Sequence, residues 1–172
     1  TAFDVLDELE DKLGIKVCPL SWPIGEGDRF KGVYNMHRKT LNLFDANKTK
    51  IERDIVAIED LNDPALDKKV GESFANELRE ETELVEGVYP AFDRESYLSG
   101  EVAPVFFGSA LNNFGVQELL DTFIEISPSP RGRKADEVMH EPTDKKFSGF
   151  VFKIHANIDP KHRDRIAFLR IV

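Results

Sequence analysis

The stretch VAPVFFGSALNN, residues 102–113, decides how the chain is interpreted. Its first six residues form an unbroken apolar run, which is typical of a strand covered on both faces in a parallel sheet. Gly108-Ser109-Ala110 then ends the run with small residues. Ligands of open α/β sheets bind at the carboxyl ends of strands, so the pattern predicts a loop where main-chain N–H groups and the Ser109 hydroxyl meet a flat ligand. Taken alone, the same residues also fit an ordinary turn between a strand and a helix.

An amphipathic helix is predicted directly after this loop. Val116, Leu119, Leu120 and Phe123 recur at helical spacing, and Pro128 must end the pattern because proline cannot continue a helix. The helix therefore follows the strand and its loop, as expected for an α/β unit.

A domain boundary is predicted after the helix, where prolines and serines alternate. Residues 131–146 are interpreted as a linker. Beyond it, Phe150, Phe152 and Ile154 take every second position over 150–155, and 166–171 is a further short apolar segment, which predicts two strands. The chain stops within the second of these, so we expect the native protein to continue into further strands.

Upstream of the deciding stretch, residues 1–4 resemble a capping box, and the helical pattern that follows ends at Gly14. A chain that begins directly on a helix indicates that upstream sequence is missing. Residues 15–22 are predicted as one apolar strand, and 30–34 with 41–44 as a hairpin with a longer loop.

The region between this hairpin and the deciding stretch is predicted to be helical. Apolar residues spaced four apart, from Leu66 to Leu78, predict one or two helices over 63–86. Three glutamates are assigned to the solvent-facing side: Glu80, Glu81 and Glu83.

The composition describes a globular chain of 172 residues with a formal net charge of −9. Residues 131–172 depart from this balance because they carry 10 basic and 6 acidic side chains. An acidic body argues against wrapping nucleic acid over the whole surface, although the basic end could contact phosphates locally. Cys18 lies among apolar neighbours and is interpreted as a packed core thiol. Without a membrane-length apolar run or a signal-peptide pattern, we expect a cytoplasmic protein with no membrane partner.

The segment 107–117, with 119–121 and the Ser-Pro-Ser-Pro stretch at 127–130, resembles the guanine-recognition loop and last G-domain helix of translational GTPases such as elongation factor G. The resemblance implies that Ser109 and Ala110 meet the O6 edge of guanine. The same resemblance gives Leu111 the position that supports these two residues in the loop.

Other segments resemble the peptide chain release factor 3 family more closely than elongation factor G: 22–27, 30–34, 150–154 and 159–168. This resemblance covers nearly the whole chain and implies an α/β fold. Residues 1–130 would form the C-terminal part of a P-loop GTPase domain, with an inserted α+β subdomain over about 15–101. After the linker, 147–172 would begin a β-barrel domain II.

Several motifs of that family are missing from the sequence. There is no glycine loop ending in Gly-Lys-Ser/Thr, no suitably placed Asp-x-x-Gly motif and no Asn-Lys-x-Asp motif. Gly25-Glu26-Gly27 is no substitute because the lysine and hydroxyl residue of a phosphate loop do not follow it. We therefore expect an interior fragment without catalytic residues, inactive alone because nothing stabilises phosphoryl transfer. GTP or GDP would be the ligand, with Mg²⁺ bound by parts outside the fragment.

In the parent protein, the resemblance implies a termination GTPase that recycles codon-reading release factors from the ribosome. Such a protein would work as a monomer with the ribosome and those factors as partners. The candidate ribosome contacts are Lys161, His162, Arg163 and Arg165, which could meet ribosomal RNA phosphate. The neighbouring aspartates could equally pair with these cations in a turn. No metal site is predicted, since His155 and His162 have no third ligand at metal spacing.

Two other functions remain open from the sequence. An elongation factor G-like translocase would share the chemistry and differ in its ribosomal step. A non-enzymatic interaction module would dock a protein partner on the inserted α+β region, and nucleotide would play no part.

Overall fold

The computed structural model describes these residues: 1–44, 55–112, 114–156, 161 and 164–171. The chain is mixed α/β and divides into two compact units, Thr1–Ser127 and Pro128–Val172. None of the helices in the described ranges combines the length and apolar character needed to cross a membrane.

The first unit holds the helices, two separate sheets and the deciding stretch. Its elements in chain order are α1 (Ala2–Leu13), β1 (Lys16–Pro19), β2 (Ser21–Ile24), a 3₁₀ turn (Gly27–Arg29), β3 (Gly32–Asn35), β4 (Thr40–Leu43), β5 (Ile55–Ala57), α2 (Pro64–Val70), α3 (Glu72–Val88), α4 (Arg94–Ser99), β6 (Val102–Val105) and α5 (Val116–Ile126).

The first helix begins and ends as its sequence predicts. The Thr1 hydroxyl accepts a 3.3 Å hydrogen bond from the Asp4 N–H, and the Asp4 carboxylate accepts one of 2.8 Å from the Thr1 amino group. Gly14 ends the helix in the left-handed conformation, at φ 63°. The capping-box prediction is therefore confirmed, and Leu6 carries the apolar face into the core.

The single strand predicted over 15–22 is wrong, because the extended segment is shared between two sheets. Its first part, β1, pairs in parallel with β6, and its second part, β2, pairs antiparallel with β3. The change falls at Leu20, whose N–H donates to the Val105 carbonyl at 2.8 Å and whose carbonyl accepts from the Met36 N–H at 2.9 Å. One residue thus ties the parallel pair to the second sheet.

The second sheet is antiparallel with the order β2-β3-β4-β5. Its β3–β4 pair confirms the predicted hairpin, with Tyr34 opposite Leu41. Pro23 lies in β2, an edge strand of this sheet, where a missing N–H donor is tolerated.

Helices α2 and α3 confirm the prediction of one or two helices over 63–86, and they pack on the antiparallel sheet. The shared core contains Trp22, Tyr34, Leu66 and Leu78, each at most 1% exposed. Glu81 departs from the prediction of a solvent-facing glutamate, because it is only part exposed and accepts a hydrogen bond from the Trp22 indole.

The second unit consists of two hairpins in its described part: β7 (Arg133–Ala135) with β8 (Val138–His140), and β9 (Gly149–Ala156) with β10 (Arg165–Ile171). The two strands predicted near the end of the chain are therefore confirmed as β9 and β10. The stretch interpreted as a linker, 131–146, contains the shorter hairpin. Every residue of β9 and β10 is exposed.

Candidate functional site

The loop after β6 is closed by a backbone pair between Ser109 and Phe114. The Ser109 N–H donates to the Phe114 carbonyl at 2.8 Å, and the Phe114 N–H donates back to the Ser109 carbonyl at 2.9 Å. Helix α5 begins two residues after Phe114. A parallel strand and a helix thus hold the two ends of one short loop, whose form is set by backbone bonds. We call the described residues 108–112 with 114 and 115 the β6–α5 loop.

Two glycines allow the ends of this loop to touch. A Cβ on Gly108 would lie 2.7 Å from the Phe114 carbonyl oxygen, and one on Gly115 would lie 2.7 Å from the Phe107 carbonyl oxygen. Gly115 also has φ +74°, a left-handed conformation that favours glycine. The small residues at these two positions are therefore required by backbone contact.

The three residues predicted to recognise a base lie side by side at the tip of the β6–α5 loop. The Ser109 side chain is half-buried, and its hydroxyl accepts hydrogen bonds from the Asn112 N–H at 3.3 Å and the Asn112 side-chain amide at 3.0 Å. Ala110 is exposed, and Leu111 is 95% exposed. Since the Ser109 N–H already bonds Phe114, the next main-chain donor along the loop is the N–H of Ala110.

A cavity of about 620 Å³ opens beside the loop. The loop contributes Gly108, Ser109 and Asn112 to its wall, while Phe30, Phe44 and Phe107 form much of the apolar side. Ligand pockets typically have volumes of about 300–1,000 Å³, with apolar walls and a few polar groups. The cavity therefore has the size and lining that a planar ring needs.

The aromatic wall of this cavity was not predicted from the sequence as part of a site. Phe30 and Phe44 were interpreted as positions in a hairpin, and Phe30 also lies in a segment of the family resemblance, but neither was assigned to a site. Nothing local to them indicates the loop more than sixty residues later. Phe114, which contacts both rings, lay inside the resembling segment without an assigned role.

The β3–β4 hairpin is tied to helix α5 by polar groups. The Arg38 guanidinium donates to Glu125 at 3.1 Å and lies 4.0 Å from Asp121, and the Asn42 amide donates to Glu118. These side chains are part exposed, so each ion pair contributes little by itself. Together they join the antiparallel sheet to the helix that follows the β6–α5 loop.

A second cavity, of about 490 Å³, lies where β1 ends and is lined by Cys18, His37, Tyr89 and Phe92, among others. Burial raises the pKa of the Cys18 thiol to about 11, which disfavours the thiolate. The prediction that Cys18 is a buried core residue is confirmed.

The candidate ribosome contacts belong to the second unit. Arg165 begins β10 and is exposed, and Lys161 is exposed in the connection before it. His162 and Arg163 lie outside the described residues. Within the described ranges, no three histidine, cysteine, aspartate or glutamate side chains converge in a way that could hold a metal ion.

The fold and the loop define a mixed α/β chain with a ligand-sized cavity at the carboxyl end of a parallel strand. No family model matches it. Among solved structures, the chain is similar to the protein ttk003000868 from Thermus thermophilus, with a TM-score of 0.55 and 20% identity. That match covers 99% of this chain and 25% of the other, so the chain spans about a quarter of that protein's length. At this identity the likeness concerns the fold alone.

Proposed function

We propose that the chain is an interior segment of a translational GTPase resembling the peptide chain release factor 3 family, and that its β6–α5 loop recognises guanine. In the full-length protein this segment would serve a cytoplasmic GTPase that recycles codon-reading release factors from the ribosome. The observation that carries the proposal is the loop itself. Small residues follow a parallel strand, a backbone pair holds Ser109 in place, and Gly108 and Ser109 border a cavity of about 620 Å³.

The groups present suit the base of a nucleotide better than its phosphates. The Ala110 N–H and the Ser109 hydroxyl are neutral donors at the loop tip, and neutral donors match the O6 carbonyl edge of guanine. The phenylalanine wall would exclude water from the ring faces and so strengthen those hydrogen bonds. Phosphate and Mg²⁺ would be held by sequence outside this chain, and their electrostatic stabilisation is what phosphoryl transfer requires.

Nucleotide titration of the full-length protein tests the proposal. We expect GDP to bind at least about tenfold more tightly than ADP. When ADP is bound, donors placed to meet the guanine carbonyl would be left unpaired or would face the adenine amino group. Isothermal titration calorimetry with both nucleotides measures the ratio. Equal affinities, or no binding of either, would favour the interaction module over the GTPase.

A substitution in the loop ties the binding to this site. Replacing Ser109 with leucine should weaken GDP binding at least about tenfold while the thermal transition stays intact, because the bulk blocks the base edge and removes a donor. The matched control is Ser99→Leu, at the end of α4, where the serine is exposed and bonds only within its helix among the described contacts. Unchanged GDP affinity in the Ser109 variant would refute the assignment of the loop.

A further inference from the structure

The return side of the β6–α5 loop is anchored by an aromatic contact. Phe114 is 9% exposed, and its ring meets Phe30 edge-on at 5.5 Å and 89°, and Phe44 at 5.3 Å and 80°. Phe30 and Phe44 also meet each other at 5.5 Å. We call these three residues the aromatic trio. Such contacts contribute energy beyond the area they bury and have preferred geometry, so each ring restricts the other two.

Backbone hydrogen bonds fix the two rings that come from the antiparallel sheet. The Phe44 N–H donates to the Lys31 carbonyl at 2.8 Å, and the Lys31 N–H donates to the Ile24 carbonyl at 2.8 Å. The Phe30 N–H donates to the Gly27 carbonyl at 3.2 Å. Phe30 and Phe44, which lie just before β3 and just after β4, are therefore held at fixed backbone positions, and the third ring packs against them.

Phe114 transmits that position to the loop tip. Its backbone makes both hydrogen bonds to Ser109, and Ala110 follows Ser109 directly. Displacement of Phe114 from the other two rings would therefore move or weaken the backbone pair that orients the donors. Misplacement of a hydrogen-bonding group by about 1 Å is enough to degrade recognition strongly.

We propose that Phe30 and Phe44 are positioning residues for base recognition, acting through Phe114. The inference rests on the proposed function and deepens it, since it assigns part of the guanine selectivity to the antiparallel sheet outside the loop. Both rings also line the cavity and so affect the affinity for any base, but only their action through Phe114 on the donors changes the preference for a ligand with O6.

The experiment compares two ligands that differ at O6. Full-length protein is titrated with GDP and with the diphosphate of 6-thioguanosine, in which sulfur, a weaker hydrogen-bond acceptor, replaces that oxygen and the N1–H is kept. The wild type should bind GDP about tenfold more tightly than the analogue, because a tenfold ratio is about what one good hydrogen bond contributes. Phe30→Leu and Phe44→Leu should each reduce this preference at least threefold by weakening GDP binding. Should a leucine variant lose its cooperative thermal transition, Phe30→Met or Phe44→Met, which keep most of the volume, carry the test.

The matched control is Phe92→Leu, a half-buried ring that contacts His37 and Tyr97 on another part of the unit. It should keep the wild-type preference. A preference retained in the Phe30 and Phe44 variants overturns the inference while leaving the guanine site in place. Equal loss of affinity for both ligands also overturns it, because that result means the rings serve only as cavity wall and do not position the donors. A wild type without any preference for GDP removes the proposed function itself.

Discussion

The Trp22 indole N–H donates a 2.7 Å hydrogen bond to the Glu81 carboxylate, joining the edge of the antiparallel sheet to helix α3 across 59 positions of sequence. Trp22 is fully buried. Burial raises the pKa of Glu81, the indole bond opposes that effect, and the charges of Glu77 and Glu26 raise the pKa further. A raised pKa in the folded state means that ionised Glu81 is less favourable there than in the unfolded chain.

We expect Glu81→Gln to be at least as stable as the wild type at pH 7, since the amide oxygen can still accept from the indole without a charge. Glu81→Leu should lose about 1–3 kcal/mol, because the buried indole N–H is left unpaired. As pH falls towards 4, the free energy of unfolding of the wild type should rise relative to that of the glutamine variant. The carboxyl stabilises the fold at pH values below its unfolded pKa, and that contribution is lost as pH rises through the folded pKa. Urea unfolding at pH 7 and pH 4 measures both effects, with Glu80→Gln as an exposed control. A glutamine variant as unstable as the leucine variant would contradict the account.

The left-handed glycines allow a test that separates backbone strain from crowding. Gly100 and Gly115 have similar φ values, +83° and +74°, but a Cβ would meet nothing within 4 Å at Gly100, whereas at Gly115 it would lie 2.7 Å from the Phe107 carbonyl oxygen. Gly100→Ala should cost about 1 kcal/mol from conformation alone. Gly115→Ala should cost about 1–3 kcal/mol more, because the loop must also move aside. Equal losses in thermal unfolding would mean that the two ends of the β6–α5 loop are not in contact.

Features that depend only on residues close in sequence, such as helix ends, were predicted correctly. The capping box at Thr1 and the stop at Gly14 depend on residues within a few positions, and both are present in the structure. The apolar run predicted as a covered strand over 102–107 forms one only over Val102–Val105, where Val102 alone is buried. The sheet change at Leu20 could not be predicted, because it depends on Val105 and Met36, which are distant in sequence. Contacts between residues distant in sequence were also missed within the candidate site.

The β6–α5 loop was located from the small residues that follow the strand, of which Gly108 is required by the close approach of the Phe114 carbonyl. The aromatic trio was missed, because Phe30, Phe44 and Phe114 carry no local sign that they meet. Glu81 was assigned to solvent for the same reason, since charge predicts exposure unless a partner such as Trp22 is known.

Arg79 holds α2 and α3 together with a forked pair. Its guanidinium donates to the two Asp67 oxygens at 3.0 and 2.7 Å and to the Leu61 carbonyl at 2.7 Å. These bonds hold the pKa of Asp67 below its ordinary value of 3.8. The pair therefore stabilises the fold above that value, and the contribution is lost as pH falls through the lower folded pKa.

Arg79→Lys should lower the melting temperature at pH 7, since an ammonium group cannot make the forked contact. The difference from the wild type should shrink at an acid pH well below 3.8, as Asp67 becomes protonated. Thermal unfolding followed by circular dichroism at both pH values measures this, and Arg94→Lys, an exposed arginine at the start of α4, is the control. A difference that stays constant with pH would show that Arg79 acts through packing and not through the carboxylate.

The long hairpin of the second unit should be far less protected against hydrogen exchange than the antiparallel sheet of the first. Phe152 and Ile154 of β9 are 61% and 64% exposed, whereas Val33 and Tyr34 of β3 are 1% and 0% exposed. A two-stranded hairpin without a covered face is marginally stable in water. In the 172-residue chain, we therefore expect β9 and β10 amides to exchange at least about 100-fold faster than those of β3. Mass spectrometry of exchanged peptides measures the ratio. Equal protection at low protein concentration would mean that the apolar side chains of β9 and β10 are covered within one chain, whereas protection that grows with concentration would mean that other copies cover them.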